Sequence, residues 1–175
     1  IREVTRGKAG EEEGSSVTMF DLLRAALRQR PNEIIIGEIR AEEGAIMFQA
    51  MQTGHACMAT FHAATVEKLI QRLTGHPINI PKTYVDNLNL VVIQNSVRLP
   101  NGKDGRRIVS ISEIVGYDPS SDSFSYIEVF RWNPSNDTFE FTGHMNSYLL
   151  EEVIAPKRGL PPSRKREIYA ELTKR

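Results

Sequence analysis

The hydrophobic pattern switches between helical and strand spacing in the first third of the chain. Apolar residues at positions 19, 20, 22, 23, 26 and 27 recur at helical spacing, and Thr18 with Asp21 resembles a capping box. Pro31 ends this predicted helix. The continuous β-branched run Glu33–Ile36 then predicts a strand buried on both faces of a parallel sheet.

A second helix and a second strand follow directly. Residues 41–52 return to helical spacing, and Gly54 suits the C-terminal cap of that helix. Residues 57–61 are short and apolar, which predicts another central strand, and residues 65–73 form a short amphipathic helix before Gly75. A strand, a helix and a strand in succession predict a right-handed βαβ crossover.

Beyond Pro77 the pattern becomes antiparallel. A short helix is predicted at residues 84–90, before strands at 90–99, 107–117, 124–132 and 138–142, which are separated by turn sequences. Helices are predicted at 148–154 and 163–174. The aromatic residues Tyr126, Phe130 and Trp132 recur with period two. This indicates a sheet face packed on the terminal helices, while a stacking platform for nucleic acid is the alternative.

Composition excludes several classes of protein. The charges balance, with 22 Lys and Arg against 22 Asp and Glu, so a general polyanion binder is not expected. No run of about 20 apolar residues exists, and the first residues lack a signal-type apolar stretch. The single Cys57 excludes an internal disulfide and a multi-cysteine zinc site. These features are typical of a cytosolic α/β domain, and the start without Met suggests a fragment.

Two clusters carry candidate chemistry. Glu38 follows the predicted Glu33–Ile36 strand, at the edge where open α/β sheets bind ligands, and a carboxylate there can polarise water or help to hold magnesium. Arg40 can orient Glu38 or contact phosphate. By itself this pattern is common in α/β domains, where such a glutamate is structural.

The second cluster is the sequence TGHACMATFH. Thr60 and His62 come at the C-terminal end of the second strand, and a hydroxyl and an imidazole there can sense a terminal phosphate. His55 precedes the strand, so the two histidines are expected near opposite ends and not in a joint metal site. A histidine that only caps the next helix is the structural alternative for His62.

Together these clusters resemble the modified Walker B motif, GEIR, and the histidine box, TGHACMATFHAAT, of the type II/type IV secretion ATPase superfamily. The resemblance covers residues 17–73 closely. The start REVTR and residues 87–114 are more similar to the archaeal branch. The resemblance implies the C-terminal half of a RecA-like P-loop sheet, followed by an antiparallel meander and C-terminal helices.

The same resemblance implies roles for individual residues. Glu38 would be the catalytic carboxylate with Arg40 beside it, and His62 would be the catalytic histidine near the γ-phosphate. Four further residues would serve nucleotide binding: Thr60, His55, Arg6 and Arg2. The match of the last two is loose, and surface arginines are the alternative.

Three departures from the family pattern stand out. The sequence contains no GxxxxGK[ST], so the backbone cradle for the β- and γ-phosphates is missing. The acidic box that usually precedes Walker B is absent as well. Gly37 stands where an ordinary Walker B motif has Asp, which leaves the magnesium ligand unassigned.

We therefore expect a partial RecA-like core at residues 1–76 and a meander with a helical extension of the same domain at 77–175. The resemblance implies a parent protein that uses ATP and Mg²⁺ as a homohexamer, bound peripherally to a membrane platform protein on the cytoplasmic side. It would drive protein export or pilin assembly, without binding nucleic acid. Two alternatives remain: a RecA-like nucleic-acid motor and a non-catalytic docking or assembly domain.

Overall fold

The computed structural model describes residues 17–40 and 43–172. The chain divides into two compact units. The first comprises the described residues up to Phe61 together with Arg72–Ile80, and the second comprises His62–Gln71 with the described residues from Pro81 onward. Within the described ranges, no helix is both long and apolar enough to cross a membrane.

The first unit contains a parallel two-stranded sheet. Its elements are α1 (Met19–Gln29), β1 (Glu33–Ile36), α2 (Glu43–Gln52) and β2 (Ala56–Ala59), and β1 pairs with β2 in parallel. The capping box predicted for α1 is present, because the Thr18 hydroxyl accepts from the Asp21 N–H at 3.2 Å and the Asp21 carboxylate accepts from the Thr18 N–H. Gly54 has φ +91°, as its predicted place at the end of α2 requires.

The prediction that β1 is buried on both faces is wrong. Ile34 and Ile36 are 6% and 5% exposed, whereas Ile35 between them is 71% exposed. The second strand is not a buried central strand either, since Met58 is 58% exposed. In the part of the chain that the structure describes, the parallel sheet has only these two strands, so each is an edge strand, and β1 alone has a buried face.

The second unit is built on a four-stranded antiparallel sheet. Its strands are β3 (Leu90–Arg98), β4 (Asp104–Asp118), β5 (Ser123–Asn133) and β6 (Thr138–Phe141), in that order across the sheet. Helix α3 (Val66–Thr74) begins in this unit and continues into the first. The helix predicted at 84–90 is instead a 3₁₀ helix, Lys82–Asn87, because Pro81 starts the turn and β3 already begins at Leu90.

Short helical segments end the described part of the chain. They are a π-helical turn (Leu149–Ile154), α4 (Ala155–Lys157), a 3₁₀ helix (Pro162–Glu167) and α5 (Ile168–Leu172). The single helix predicted at 163–174 is instead a 3₁₀ turn that leads into α5. Pro161 has an extended backbone conformation, and the 3₁₀ turn begins at Pro162. Ala155, Ile168 and Tyr169 form a buried cluster against which Phe141, Leu150 and Leu160 pack.

The aromatic stripe divides between core and surface. Trp132 is 8% exposed, and Phe130 stacks on Phe141 with ring centroids 4.7 Å apart. Tyr126 and Phe130 stay partly exposed. The mixed α/β fold predicted from the sequence, with a parallel pair, a meander and C-terminal helices, is confirmed.

Candidate active site

The C-terminal ends of β1 and β2 lie side by side in the first unit. The last ladder pair is Ile36 with Ala59, and the Ile39 N–H donates to the Thr60 carbonyl at 3.0 Å beyond it. The Thr60 hydroxyl donates to the Gly37 carbonyl. The residues on both sides of Glu38, Gly37 and Ile39, are therefore hydrogen-bonded to Thr60 at the end of the neighbouring strand.

Glu38 and Arg40 form an ion pair at this edge. The Arg40 Nε and Nη2 atoms lie 2.8 and 2.6 Å from Oε2 of Glu38. The Glu38 side chain is 27% exposed and that of Arg40 78%, so the carboxylate sits at the protein surface with its cation on the solvent side. The hydrogen bond to Glu38, followed by its charge, raises the pKa of the Arg40 guanidinium.

Glu43 fixes the turn that follows. Its Oε1 accepts from the Arg40 backbone N–H at 2.6 Å, and Glu43 is the first residue of α2. The Arg40 backbone is therefore held by one carboxylate and its side chain by another. This arrangement keeps Glu38 and Arg40 in a defined geometry, as a positioned general base requires.

The two histidines of the sequence motif precede and follow β2 along the chain. His55 precedes β2, at the end of the sheet away from Thr60. Its Nδ1 is 3.1 Å from the Thr53 hydroxyl, which also donates to the Ala50 carbonyl at 2.9 Å. His55 is thus part of the turn that ends α2, and it does not join Glu38.

His62 is the first residue of the second unit and is exposed. The chain passes from Thr60 in the first unit to His62 in the second. Arg2 and Arg6 lie outside the described residues.

The donor set matches part of a magnesium–nucleotide site. It supplies one strand-end carboxylate and one guanidinium, together with a threonine hydroxyl that is already bonded to a carbonyl. Among the described residues, no group of three or more His, Cys, Asp or Glu side chains could hold a metal ion. Glu38 could therefore contribute a carboxylate to the metal or its water, and the phosphate cradle would have to come from other residues.

Three contacts were not predicted from the sequence. These are the Thr60–Gly37 bond, the Glu43 contact to the Arg40 backbone, and a bond from Tyr126 to Glu67 in the second unit. A Glu three residues after Arg40 and at the start of a predicted helix resembles a capping signal, so the Glu43 contact could have been found. The Tyr126–Glu67 contact joins residues 59 positions apart, and no local pattern indicates it.

Comparison with known proteins finds a matching family and several similar proteins. Residues 3–123 match the family described as Type II/IV secretion system protein. The uncharacterized protein MJ0900 of Methanocaldococcus jannaschii is 55% identical over 169 residues, which cover 97% of this chain and 30% of MJ0900. The type IV pilus ATPase PilU of Pseudomonas aeruginosa is 33% identical over 109 residues, which cover 57% of this chain and 28% of PilU.

A solved structure is also similar. The X-ray structure of the Legionella pneumophila ATPase DotB aligns with 89% of this chain and 34% of its own, with a TM-score of 0.41 and 19% identity. This chain spans less than a third of the length of MJ0900 and of PilU. With the family match extending over most of its residues, the chain belongs to the type II/IV secretion system protein family.

Proposed function

We propose that this chain is the C-terminal part of a motor ATPase that drives protein export or pilin assembly. Its residues 1–76 would be a partial RecA-like core and residues 77–175 an extension of the same domain. The division into compact units is a different one, since it groups His62–Gln71 with the later residues. The family membership and the 33% identity to a type IV pilus ATPase support the class of protein.

The observation that carries the proposal is the position of Glu38. It is a half-buried carboxylate after β1, its oxygen is fixed by two nitrogens of Arg40, and the adjoining Gly37 carbonyl is bonded to Thr60. In open α/β sheets ligands bind at this edge. Preorganised groups at such an edge are what phosphoryl transfer requires, because catalysis there is mostly positioning and electrostatic stabilisation.

Each residue then has a role in the proposal. Glu38 accepts a hydrogen bond from the attacking water, and Arg40 holds the carboxylate in one orientation. Thr60 keeps the ends of the two strands together. His62 contacts the terminal phosphate, as the resemblance implies, and His55 has a supporting role in the turn before β2. Arg2 and Arg6 are candidate nucleotide contacts on the same basis.

The remaining parts of the proposal concern the whole protein. ATP with Mg²⁺ would supply the transferable phosphoryl group, and a homohexamer would bind a membrane platform protein from the cytoplasmic side. The identity to the Methanocaldococcus protein supports placement in the archaeal branch. Neither nucleic acid binding nor a purely structural docking role has an observation of its own in its favour.

The test is Glu38→Gln in the complete natural protein that carries this sequence. The substitution keeps the size of the side chain and removes its basicity, so ATP turnover should fall by about 10²-fold or more while ATP affinity stays within a few-fold. Turnover is measured by phosphate release and affinity by calorimetry.

Glu33→Gln is the matched control. Glu33 begins the same strand opposite Ala56, three positions before Ile36, and its side chain is exposed at the other end of β1. It should leave turnover unchanged within about two-fold, as expected for a surface position. Equal turnover in the Glu38→Gln protein and the wild type would overturn the assignment of Glu38.

A further inference from the structure

The first turn of α3 lies only a few residues after His62. Thr65 caps this turn, since its hydroxyl accepts from the Lys68 N–H at 3.3 Å and its carbonyl accepts from the Leu69 N–H at 3.0 Å. Val66 and Leu69 are buried. Because only residues 63 and 64 separate His62 from this capped turn, the placement of the turn limits the positions that the His62 imidazole can reach.

Glu67, in that first turn, accepts hydrogen bonds from two hydroxyl groups. One comes from Thr65 and the other from Tyr126, which donates to Oε1 of Glu67. The Thr65 bond, and then the Tyr126 bond, lower the pKa of Glu67. The bond to Glu67, followed by burial, raises the pKa of the Tyr126 phenol.

Tyr126 is itself well anchored in the antiparallel sheet. It lies on β5 directly opposite Ile114 of β4, which is 3% exposed. The pairing of β4 with β5 holds the tyrosine backbone, although the register of this ladder shifts directly after the Ile114–Tyr126 pair, and the tyrosine hydroxyl reaches the helix. The bond joins residues that are 59 positions apart, so it fixes the helix to the sheet independently of the chain between them.

We propose that Glu67 and Tyr126 are positioning residues that hold α3, and through it His62, in a fixed place on the antiparallel sheet. A change at His62 when the terminal phosphate leaves is then passed to the sheet through this bond. The inference rests on the proposed function for its nucleotide step. Its structural step, that the bond holds the start of α3 in place, stands on the contacts alone.

The test uses Tyr126→Phe in the complete natural protein. The variant keeps the ring and removes the hydroxyl, so ATP turnover should fall about three- to ten-fold while the KM for ATP stays within two-fold. Amides of residues 66–71 should also exchange hydrogen faster by several-fold, because the turn loses its link to the sheet. Glu67→Gln combined with Tyr126→Phe should be no worse than the more severe single variant.

Tyr117→Phe is the matched control. The Tyr117 hydroxyl donates to Asp122 at 2.7 Å, so this variant removes another exposed tyrosine–carboxylate bond of the same sheet without touching α3. It should change neither turnover nor the exchange of residues 66–71. If Tyr126→Phe behaves like Tyr117→Phe while Glu38→Gln abolishes turnover, the inference is overturned and the proposed function stands. If Glu38→Gln leaves turnover unchanged, the proposed function fails and the nucleotide step of the inference fails with it, whatever the exchange data show.

Discussion

At the residue scale, hydroxyl groups make several of the contacts that hold the candidate chemistry in place. Thr60 bonds the Gly37 carbonyl, Thr65 caps α3, and Tyr126 bonds Glu67. Their partners are a backbone carbonyl for Thr60, a backbone N–H for Thr65 and a carboxylate for Tyr126. In the proposed function, the charged residues Glu38 and Arg40 would supply the chemistry, and the Thr60 hydroxyl ties down the backbone beside them.

A second arginine–carboxylate pair, between Arg107 and Asp137, holds the turn between β5 and β6. The Arg107 Nε and Nη2 atoms lie 2.7 Å from the two oxygens of Asp137, and Trp132 donates to Asp137 at 2.8 Å. The Arg107 bond, and then the Trp132 bond, lower the pKa of Asp137 from 3.8 to about 2. Because the pKa is lower in the folded state, the contribution of Asp137 to stability is present above pH 3.8 and is lost as the pH falls towards 2.

We therefore expect Asp137→Asn to lower Tm at pH 7 and to have little effect near pH 2. Asp137 has φ +56°, a conformation that Asn tolerates well, so the substitution tests the charge and not the backbone. Circular dichroism melts at pH 7, 4 and 2 give the comparison. Asp104→Asn is the control, since its pair with Arg98 is exposed and such pairs contribute about 0–1 kcal/mol. A Tm difference that is the same at pH 7 and pH 2 would contradict the assignment.

At the element scale, local sequence patterns predict the start of α1 and the end of α2 well and the strand environment poorly. The Thr18 capping box and the positive φ of Gly54 follow from patterns within three or four residues. The exposure of Ile35 does not follow from such a local pattern. A β-branched run has the same sequence whether one or both faces of the sheet are covered. The coverage of a strand depends on elements distant in the sequence.

The same limit applies to the chemistry. The order of the motifs is enough to predict Glu38 at the strand end, and the parallel register then brings the residues after β1 next to those after β2. The bond between Tyr126 and Glu67 depends on how α3 packs in the second unit, and nothing in either local sequence encodes it.

The C-terminal segments are held to the sheet by a buried polar network. Glu113 of β4, 4% exposed, accepts from the Ser147 hydroxyl at 2.6 Å and from the Leu149 N–H at 3.1 Å. Tyr169 accepts from the Ser147 N–H at 2.8 Å and donates to Glu151 at 2.9 Å. The network therefore joins the central strand, the π-helical turn and α5.

Removing the central acceptor should loosen all three elements. Glu113→Ala leaves the buried Ser147 hydroxyl and the partly buried Leu149 N–H without this acceptor, which should lower the free energy of unfolding by about 1–3 kcal/mol for the buried hydroxyl and by less for the N–H. Chemical denaturation measures the loss, and hydrogen exchange should rise most in residues 147–172. Glu128→Ala, which removes a partly exposed pair with Arg131, should cost less than about 1 kcal/mol. Equal losses for the two variants would show that the network does not hold these segments.

At the scale of the whole molecule, the consecutive basic residues Arg164, Lys165 and Arg166 each lie close to a carboxylate. Arg164 bonds Glu167 at 2.6 Å, and Lys165 bonds Glu152 with Glu151 also within reach. Arg166 lies 3.7 Å from Glu151. For these three residues, the ion pairs favour a solvated helix end over a patch that binds anionic lipid.

A motif that is missing from the 175 residues leads to a prediction about nucleotide affinity. Without a GxxxxGK[ST] loop, the amides and the lysine that supply most phosphate contacts are missing, so this chain by itself should bind ATP weakly and hydrolyse it negligibly. Calorimetry with Mg²⁺ and ATP gives the affinity, and the complete natural protein serves as the positive control. A micromolar Kd for the isolated chain would contradict this expectation.

The division into units has a consequence for dissecting the protein. The polypeptide leaves the first unit after Phe61, returns to it at Arg72 and leaves it again after Ile80. No single cut therefore releases either unit as one continuous piece. A truncation that begins at Pro81 would discard Glu67 along with the helical turn that Tyr126 binds, and an expression product of that kind would lack a native part of its own unit. Boundaries for shorter versions must keep His62–Gln71 with the antiparallel sheet, for example by joining that segment to the sheet through a new linker.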